Sequence, residues 1–257
     1  MNAKGTDSMN MPMLMLASLA SLVSAALLPA LAHAEEALPK VVVPAQRDAE
    51  WHSYRHAYKA ARFFAPYLKT RPLIQAHLQI RPNRPELPLD GLEVQLAGET
   101  VNMTLPVDPV GRLTLPMLKQ AFDEDAVLRL NRQKGHYHFS GRYSIRERED
   151  GVYDAASLRA ACEQLLSAQR ESGYRLRLIG KKCAGVKFVY AASGPAPEVL
   201  HKDAAGALAP LAVQRGYPFE NPTMGNYQVA VYRFADWPAQ GEVLARGKPL
   251  AVGTLYE

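Results

Sequence analysis

The chain has 257 residues, 48% of them hydrophobic, and its 30 Lys and Arg against 25 Asp and Glu give a net charge of +5. Such a composition supplies ample apolar surface for a packed core and excludes a disordered or low-complexity chain. The mild basic excess carries no long single-sign block and no nucleic-acid-binding motif, which argues against nucleic acid as a partner while permitting an anionic one.

Residues 1–34 read as a signal peptide. Lys4 gives a positive start, residues 11–31 form an apolar run broken by Pro29, and Ala32-His33-Ala34 fits the small-x-small cleavage pattern, which places cleavage before Glu35. The rival reading is an uncleaved anchor, since about 18 apolar residues span a bilayer. No Cys follows the run to take a lipid, and no later segment is long and apolar enough to span. After signal cleavage the chain is therefore expected to be periplasmic or secreted, with no transmembrane span.

Residues 35–69 form an N-terminal segment: a Pro-bounded extended stretch over 35–45, then a helix from 46 to about 65. Asp48 and Glu50 suit its first turn, Arg62 suits its last, and Pro66 ends it. Trp51, Tyr54, Tyr58 and Ala61 follow at three- and four-residue steps, the spacing of a packing face.

Residues 70–150 read as a β-sandwich-like domain. In residues 73–80 (LIQAHLQI), Ile74, Ala76, Leu78 and Ile80 share one apolar face, and Pro82, Pro85 and Pro88 then stiffen an extended connection. The clearest signal is residues 91–116, GLEVQLAGETVNMTLPVDPVGRLTLP, where period-two alternation recurs and predicts a three-stranded antiparallel meander, joined in its sheet by 73–80. Asp108-Pro109-Val110-Gly111 places favoured residues in a type I turn. Residues 126–131 form another strand, Lys134-Gly135 a turn, and residues 137–145 a long strand with a bulge or bend at Gly141.

The charged turn at 146–151 marks a boundary, and residues 151–257 form an α+β segment that is either separate or shares the same core. Asp154 caps a helix running to about 171, with Leu158, Ala161 and Leu165 on its buried stripe. Residues 174–179 and 186–190 form a hairpin. Residues 191–225 form a long loop with a short helix near 202–213, and residues 226–234 are a strand beside which 243–245 and 250–256 pair. Cys162 and Cys183 are the only cysteines; in an oxidising compartment they pair and staple helix to hairpin, a redox pair without C-x-x-C being the alternative. The predicted fold class is α+β: an antiparallel β-sandwich-like core with an N-terminal helix and a C-terminal disulfide-stapled helix-hairpin segment.

The stretches GLEVQLAG, TVNMTLPVDPVGRLTLP and AVLRLN resemble the transthyretin-like or carboxypeptidase-regulatory type of β-sandwich, whose modules share short alternating strands and a D-x-x-G turn. Over residues 70–150 the resemblance implies that fold and transfers no functional residue. The whole chain is similar to exported Gram-negative proteins of unknown function, which implies periplasmic residence and no assigned activity.

G-x-S-x-G, H-E-x-x-H, G-x-x-x-x-G-K-[ST] and G-x-G-x-x-G are all missing. The residual chemical signal is histidine: His52 and His56 lie four apart on the predicted helix, and His136 and His138 two apart on a strand, so each pair presents two imidazoles to one side. They are the candidate ligands for zinc or copper, with solvated or hydrogen-bonding histidines as the alternative, and no other cofactor is expected. Arg129, Arg132, Lys134, Arg142, Arg146 and Arg148, and then Arg175, Arg177, Lys181, Lys182 and Lys187, form a basic rim suited to an anionic glycan, a lipid headgroup or an envelope protein, or else a solvated face. The function expected is a non-catalytic binding or interaction module, monomeric or weakly oligomeric. The alternatives are a metal-dependent hydrolase using the paired histidines and a structural envelope protein.

Overall fold

The computed structural model describes residues 49–257. The expected signal peptide and cleavage site, the expected extended stretch 35–45 and the first residues of the expected helix lie outside them.

β1 (Ala49–Ser53) leads directly into α1 (Tyr54–Lys69), whose N-cap Ser53 accepts a hydrogen bond from the His56 amide through its hydroxyl. Residues 49–53, expected as helix, are thus a strand. They pair with β6 (Val127–Gln133), Trp51 opposite Arg129 and Ser53 opposite Val127, and this ladder satisfies a backbone that the aromatic spacing alone would have coiled. Pro66 lies inside α1. Tyr67 and Leu68 pack on the core beyond it, which outweighs the one hydrogen bond that Pro66 does not donate.

β3 (Glu93–Ala97) and β4 (Asn102–Pro106) form the expected hairpin, with Glu93 opposite Pro106 and Ala97 opposite Asn102. The third strand of the meander leaves it: β5 (Arg112–Leu113) pairs with β2 (Ile74–Pro82). The turn between them explains the departure. Asp108 Oδ1 accepts from the amides of Val110 and Arg112, and Gly111 adopts φ 76° with its carbonyl taken by the Ile80 amide at 2.8 Å. A Cβ at Gly111 would stand 2.5 Å from the Ile80 carbonyl oxygen, so only glycine lets the chain cross to β2 there.

β7 (Tyr137–Ile145) runs along β2 in unbroken antiparallel register from Pro82 opposite Tyr137 to Ile74 opposite Ile145. No bulge interrupts it at Gly141; that position instead makes room for Phe64 of α1, whose ring a Cβ would meet at 3.4 Å. Beyond the short α2 (Lys119–Asp123) and β8 (Val152–Asp154), α3 (Ala155–Gln169) starts at the expected cap, Asp154 accepting from the Ser157 amide at 2.7 Å.

Cys162 of α3 is bonded to Cys183 of β9 (Cys183–Tyr190). The staple therefore joins helix to strand, because residues 174–179 are not the first strand of a hairpin. The chain unwinds through Arg170–Tyr174, where Gly173 takes φ 105°, and closes a 3-10 turn over Arg175–Leu178. Both edges of β9 are already occupied, by β13 (Tyr227–Arg233) and β15 (Ala251–Tyr256), so no partner remains for a strand there.

Residues 191–225 also differ from expectation. They hold β10 (Val199–Lys202), β11 (Leu208–Pro210) and β12 (Val213–Gly216), and no helix over 202–213. Asp203 Oδ1 accepts from the amides of Ala205 and Ala207, and Gly206 adopts φ 88°, so an Asx turn overrides the helix preference of the alanines. β14 (Glu242–Ala245) pairs with β10 and β8, not with β15.

Among the described residues three antiparallel sheets result, ordered β1-β6-β3-β4, β11-β10-β14-β8 and β12-β13-β9-β15-β7-β2-β5. The last takes strands from both sides of Gly151. Ile74 and Ile80 project from one face of β2 into two cores. One gathers Tyr54, Ala57, Val94, Leu96, Leu128, Leu130 and Ile80 between α1, the first sheet and the long sheet; the other gathers Leu158, Leu165, Phe188, Tyr232, Val243, Val252 and Ile74 around α3. Among the described residues no helix is long and apolar enough to cross a membrane.

The Cys162–Cys183 bond closes a separation of 21 residues. Loop-closure entropy for such a length predicts that Cys162→Ser with Cys183→Ser lowers stability by about 3 kcal/mol, read as a lower urea midpoint with an unchanged far-ultraviolet spectrum.

Candidate functional site

The face of the long sheet opposite these two cores is apolar along β13, β9 and β15, where Val189, Phe219, Tyr227, Val229 and Ala251 cluster, and polar along β2 and β7. Register along β2 and β7 sets Gln75 across from Ser144, His77 from Arg142, Gln79 from Ser140 and Arg81 from His138, and cross-strand partners share a face. Burying such a layer is tolerable only where its groups find partners.

Arg112, 6% exposed, binds one of them, Ser144, and gathers further acceptors beside the layer. Its Nε donates to Asp108 Oδ2 at 2.7 Å, Nη1 to Glu147 Oε1 at 2.7 Å and to Ser144 Oγ at 3.1 Å, and Nη2 to the Leu250 carbonyl at 2.6 Å. Gln75 also donates to Glu147. Burial works against the guanidinium charge, but Asp108 and Glu147 more than compensate and raise its pKa. His77 faces the same groups; burial, then Arg112, lowers its pKa, and its Nε2 is buried without a hydrogen-bond partner.

A second knot holds the segment 217–220 over the sheet. Arg142 donates from Nη1 to Glu220 Oε2 at 2.6 Å and from Nε to Gln79 Oε1 at 2.9 Å, with its guanidinium 4.7 Å from the Phe219 ring centroid. Lys187 Nζ donates to the carbonyls of Tyr217 and Phe219 at 3.1 and 2.9 Å. Burial lowers the Lys187 pKa, Glu220 opposing and Arg142 reinforcing. Burial alone would raise that of Glu220, yet the charges of Arg142 and Lys187 and the hydrogen bonds it accepts hold it below the usual carboxylate range.

Where the polar layer reaches Leu250 it shapes a cleft. Arg112 holds the Leu250 carbonyl, the Leu250 amide donates to Val189 at 2.8 Å, and the Arg246 amide donates to the Glu198 carbonyl at 2.9 Å. The turn 246–250 is thereby fixed opposite residues 190–198 across a cleft of about 510 Å³, lined among others by Tyr190, Pro195, Pro197, Gln228, Arg246 and Lys248. Gln228 Nε2 donates to the carbonyls of Ala191, Gly194 and Pro195, bracing a wall that lacks regular pairing. The Tyr190 hydroxyl is buried without a partner, and burial pushes its pKa up. At the mouth, Arg246 meets Glu198 at 3.4 Å and Lys248 meets Glu149 at 2.6 Å, with all four side chains exposed.

No family model, curated protein or solved structure matches the chain. What the site can do rests on its own geometry.

The structure sets His52 at the end of β1, its ring stacked on Phe139 at 5.4 Å and 6.3 Å from that of His56. Alternation along β7 places His138 on the reverse face, with Nδ1 2.7 Å from Asn83 Oδ1, and His136 lies in the turn before that strand. His52 and His56 are brought together, while the sheet separates them from His138. Among the described residues no three His, Cys, Asp or Glu side chains gather as a metal site would require. Of the cations read as a basic rim, Arg142 and Lys187 belong to the polar layer, whereas Arg175, Arg177, Lys181 and Lys182 are exposed. Arg112 and Gln228 escaped sequence reasoning; Asp108 four residues before Arg112 was the available signal.

Arg112→Met leaves Asp108 and Glu147 without their buried counter-charge, and a loss of about 3–5 kcal/mol in urea denaturation is expected. Arg112→Lys recovers only part of it, since an ammonium cannot reach all four acceptors. His52, His77 and His138 all have pKa values lowered below 6.5 in the folded chain, each chiefly by burial. The unfolded chain therefore takes up protons first: the contribution is complete above the unfolded value and is lost as pH falls through the lower folded values. The urea midpoint should fall on going from neutral pH to about 5, and less steeply in His77→Gln.

Proposed function

We propose that this protein is a non-catalytic binding module of the periplasm or another extracytoplasmic compartment, holding an anionic envelope component, of the class of an acidic glycan, in the cleft between residues 190–198 and 246–250. The observation that carries this reading is the mouth of the cleft, where Arg246 and Lys248 stand in exposed ion pairs on a turn anchored from beneath by buried Arg112. Exposed pairs contribute only about 0–1 kcal/mol, so each cation exchanges its carboxylate for that of a ligand with little loss. The volume lies within the range of small-molecule sites, and Tyr190, Pro195, Pro197 and Leu250 offer rigid apolar walls for a sugar ring.

The paired cysteines support an oxidising compartment. Stacking of the first sheet on the long sheet around Tyr54 supports the β-sandwich-like reading, but such folds host many functions and the argument rests on the cleft.

The test is calorimetric titration of the full chain with an oligogalacturonide. Saturable, salt-sensitive binding is expected, weakened about tenfold by Arg246→Ala with Lys248→Ala. Absence of binding at millimolar ligand, or equal binding by the double variant, would overturn the proposal.

A further inference from the structure

Residues 173–182, GYRLRLIGKK, carry a surface that the cleft does not explain. Leu176 is 83% exposed, Ile179 71% and Tyr174 37%. Arg175, Arg177, Lys181 and Lys182 stand exposed among them, and none takes part in an ion pair among the described residues. The nearest preceding carboxylate, Glu171, is engaged by Arg71 at 2.6 Å. Single exposed aliphatic side chains need no explanation, but large ones three residues apart and flanked by unpaired cations are a recognisable surface chemistry.

The segment is braced. Cys183, immediately after it, is bonded to Cys162, and Lys182 and Glu257 exchange backbone hydrogen bonds of 2.8 and 3.1 Å. Arg170 Nη2 donates to the carbonyls of Leu178 and Lys181 at 3.3 and 2.6 Å. Its base is therefore set before anything binds, which lowers the entropy lost on association.

We infer that residues 173–182 rest on an anionic lipid bilayer, with Tyr174, Leu176 and Ile179 entering the boundary between headgroups and acyl chains and Arg175, Arg177, Lys181 and Lys182 meeting lipid phosphates. Leucine, isoleucine and an amphipathic tyrosine suit that boundary, and basic residues beside them add attraction that falls away within a Debye length of the surface. Each cation near such a surface strengthens partition roughly fivefold. Residues 173–182 contain no carboxylate, and Glu257, the one held beside them at Lys182, leaves the four cations in excess, which supplies the charge complementarity.

The test is hydrogen exchange of the full chain with vesicles of phosphatidylglycerol and with vesicles of phosphatidylcholine, read locally so that association through another segment does not interfere. Exchange over 173–182 should slow at least about tenfold with phosphatidylglycerol and remain unchanged with phosphatidylcholine. Leu176→Ser with Ile179→Ser, both at exposed positions, should abolish the protection. Arg246→Ala with Lys248→Ala should retain it, which keeps this result separate from that of the cleft. Unchanged exchange at 173–182 with phosphatidylglycerol, or protection that survives the double serine substitution, would overturn the inference. Protection by a polyglutamate peptide without protection by vesicles would overturn it in favour of an acidic protein partner.

Discussion

One buried guanidinium joins segments that chain order keeps far apart. Arg112 ties the turn that begins at Asp108, the end of β7 through Ser144 and Glu147, and the start of β15 through Leu250, 138 residues along the chain. Desolvating an arginine is costly, and two carboxylates with two neutral acceptors are what make it tolerable. What the arrangement adds is uniqueness: with Asp108 also bonded to the amides of Val110 and Arg112, the crossover from β4 to β5 has one satisfied geometry. The turn 246–250 inherits its position from that geometry, and so does the cleft it borders.

The long sheet divides its labour by face. One side feeds two cores, one around Tyr54 and one around α3, and the other side buries a third apolar cluster around Phe219 and Val229. The polar stretch of that second side, along β2 and β7, contributes position. Arg142 and Lys187 clamp the segment 217–220, and Gly253 lies so close beneath it that a Cβ would stand 2.5 Å from the Pro218 carbonyl oxygen. A layer of this kind has few ways to rearrange, because moving one partner strands a buried charge.

Local rules made a good part of this legible in advance. The alternation of residues 93–97 and 102–106 carried their hairpin, Asp154 announced α3, and two lone cysteines announced their bond. What failed was knowledge of which edges were free. Residues 174–179 alternate as a strand does, yet β9 has no edge to offer them; residues 199–210 are rich in alanine, yet β14 offers an edge to β10. Third-strand membership of the meander failed for the same reason, since β2 competed for β5. The site was hidden differently. Arg112 occupies a polar position in an alternating strand, where pattern alone assigns it to water, and only the crossing of β2, β7 and β15 buries it. Gln228 reads as one more polar strand residue until the carbonyls of 191–195 converge on it.

The placement of β15 bears on how the molecule comes into being. Residues 251–256 follow every other strand of the long sheet in the chain, yet they lie between β9 and β7, in its interior. Until they arrive, β13 with β9 and β7 with β2 are two separate ribbons, each with an open edge turned toward the missing strand. The sheet is completed only when this strand inserts, so a nascent polypeptide that has not yet reached it holds neither the finished sheet nor the Leu250 carbonyl that Arg112 requires. Among the described strands, the one latest in sequence closes the sheet.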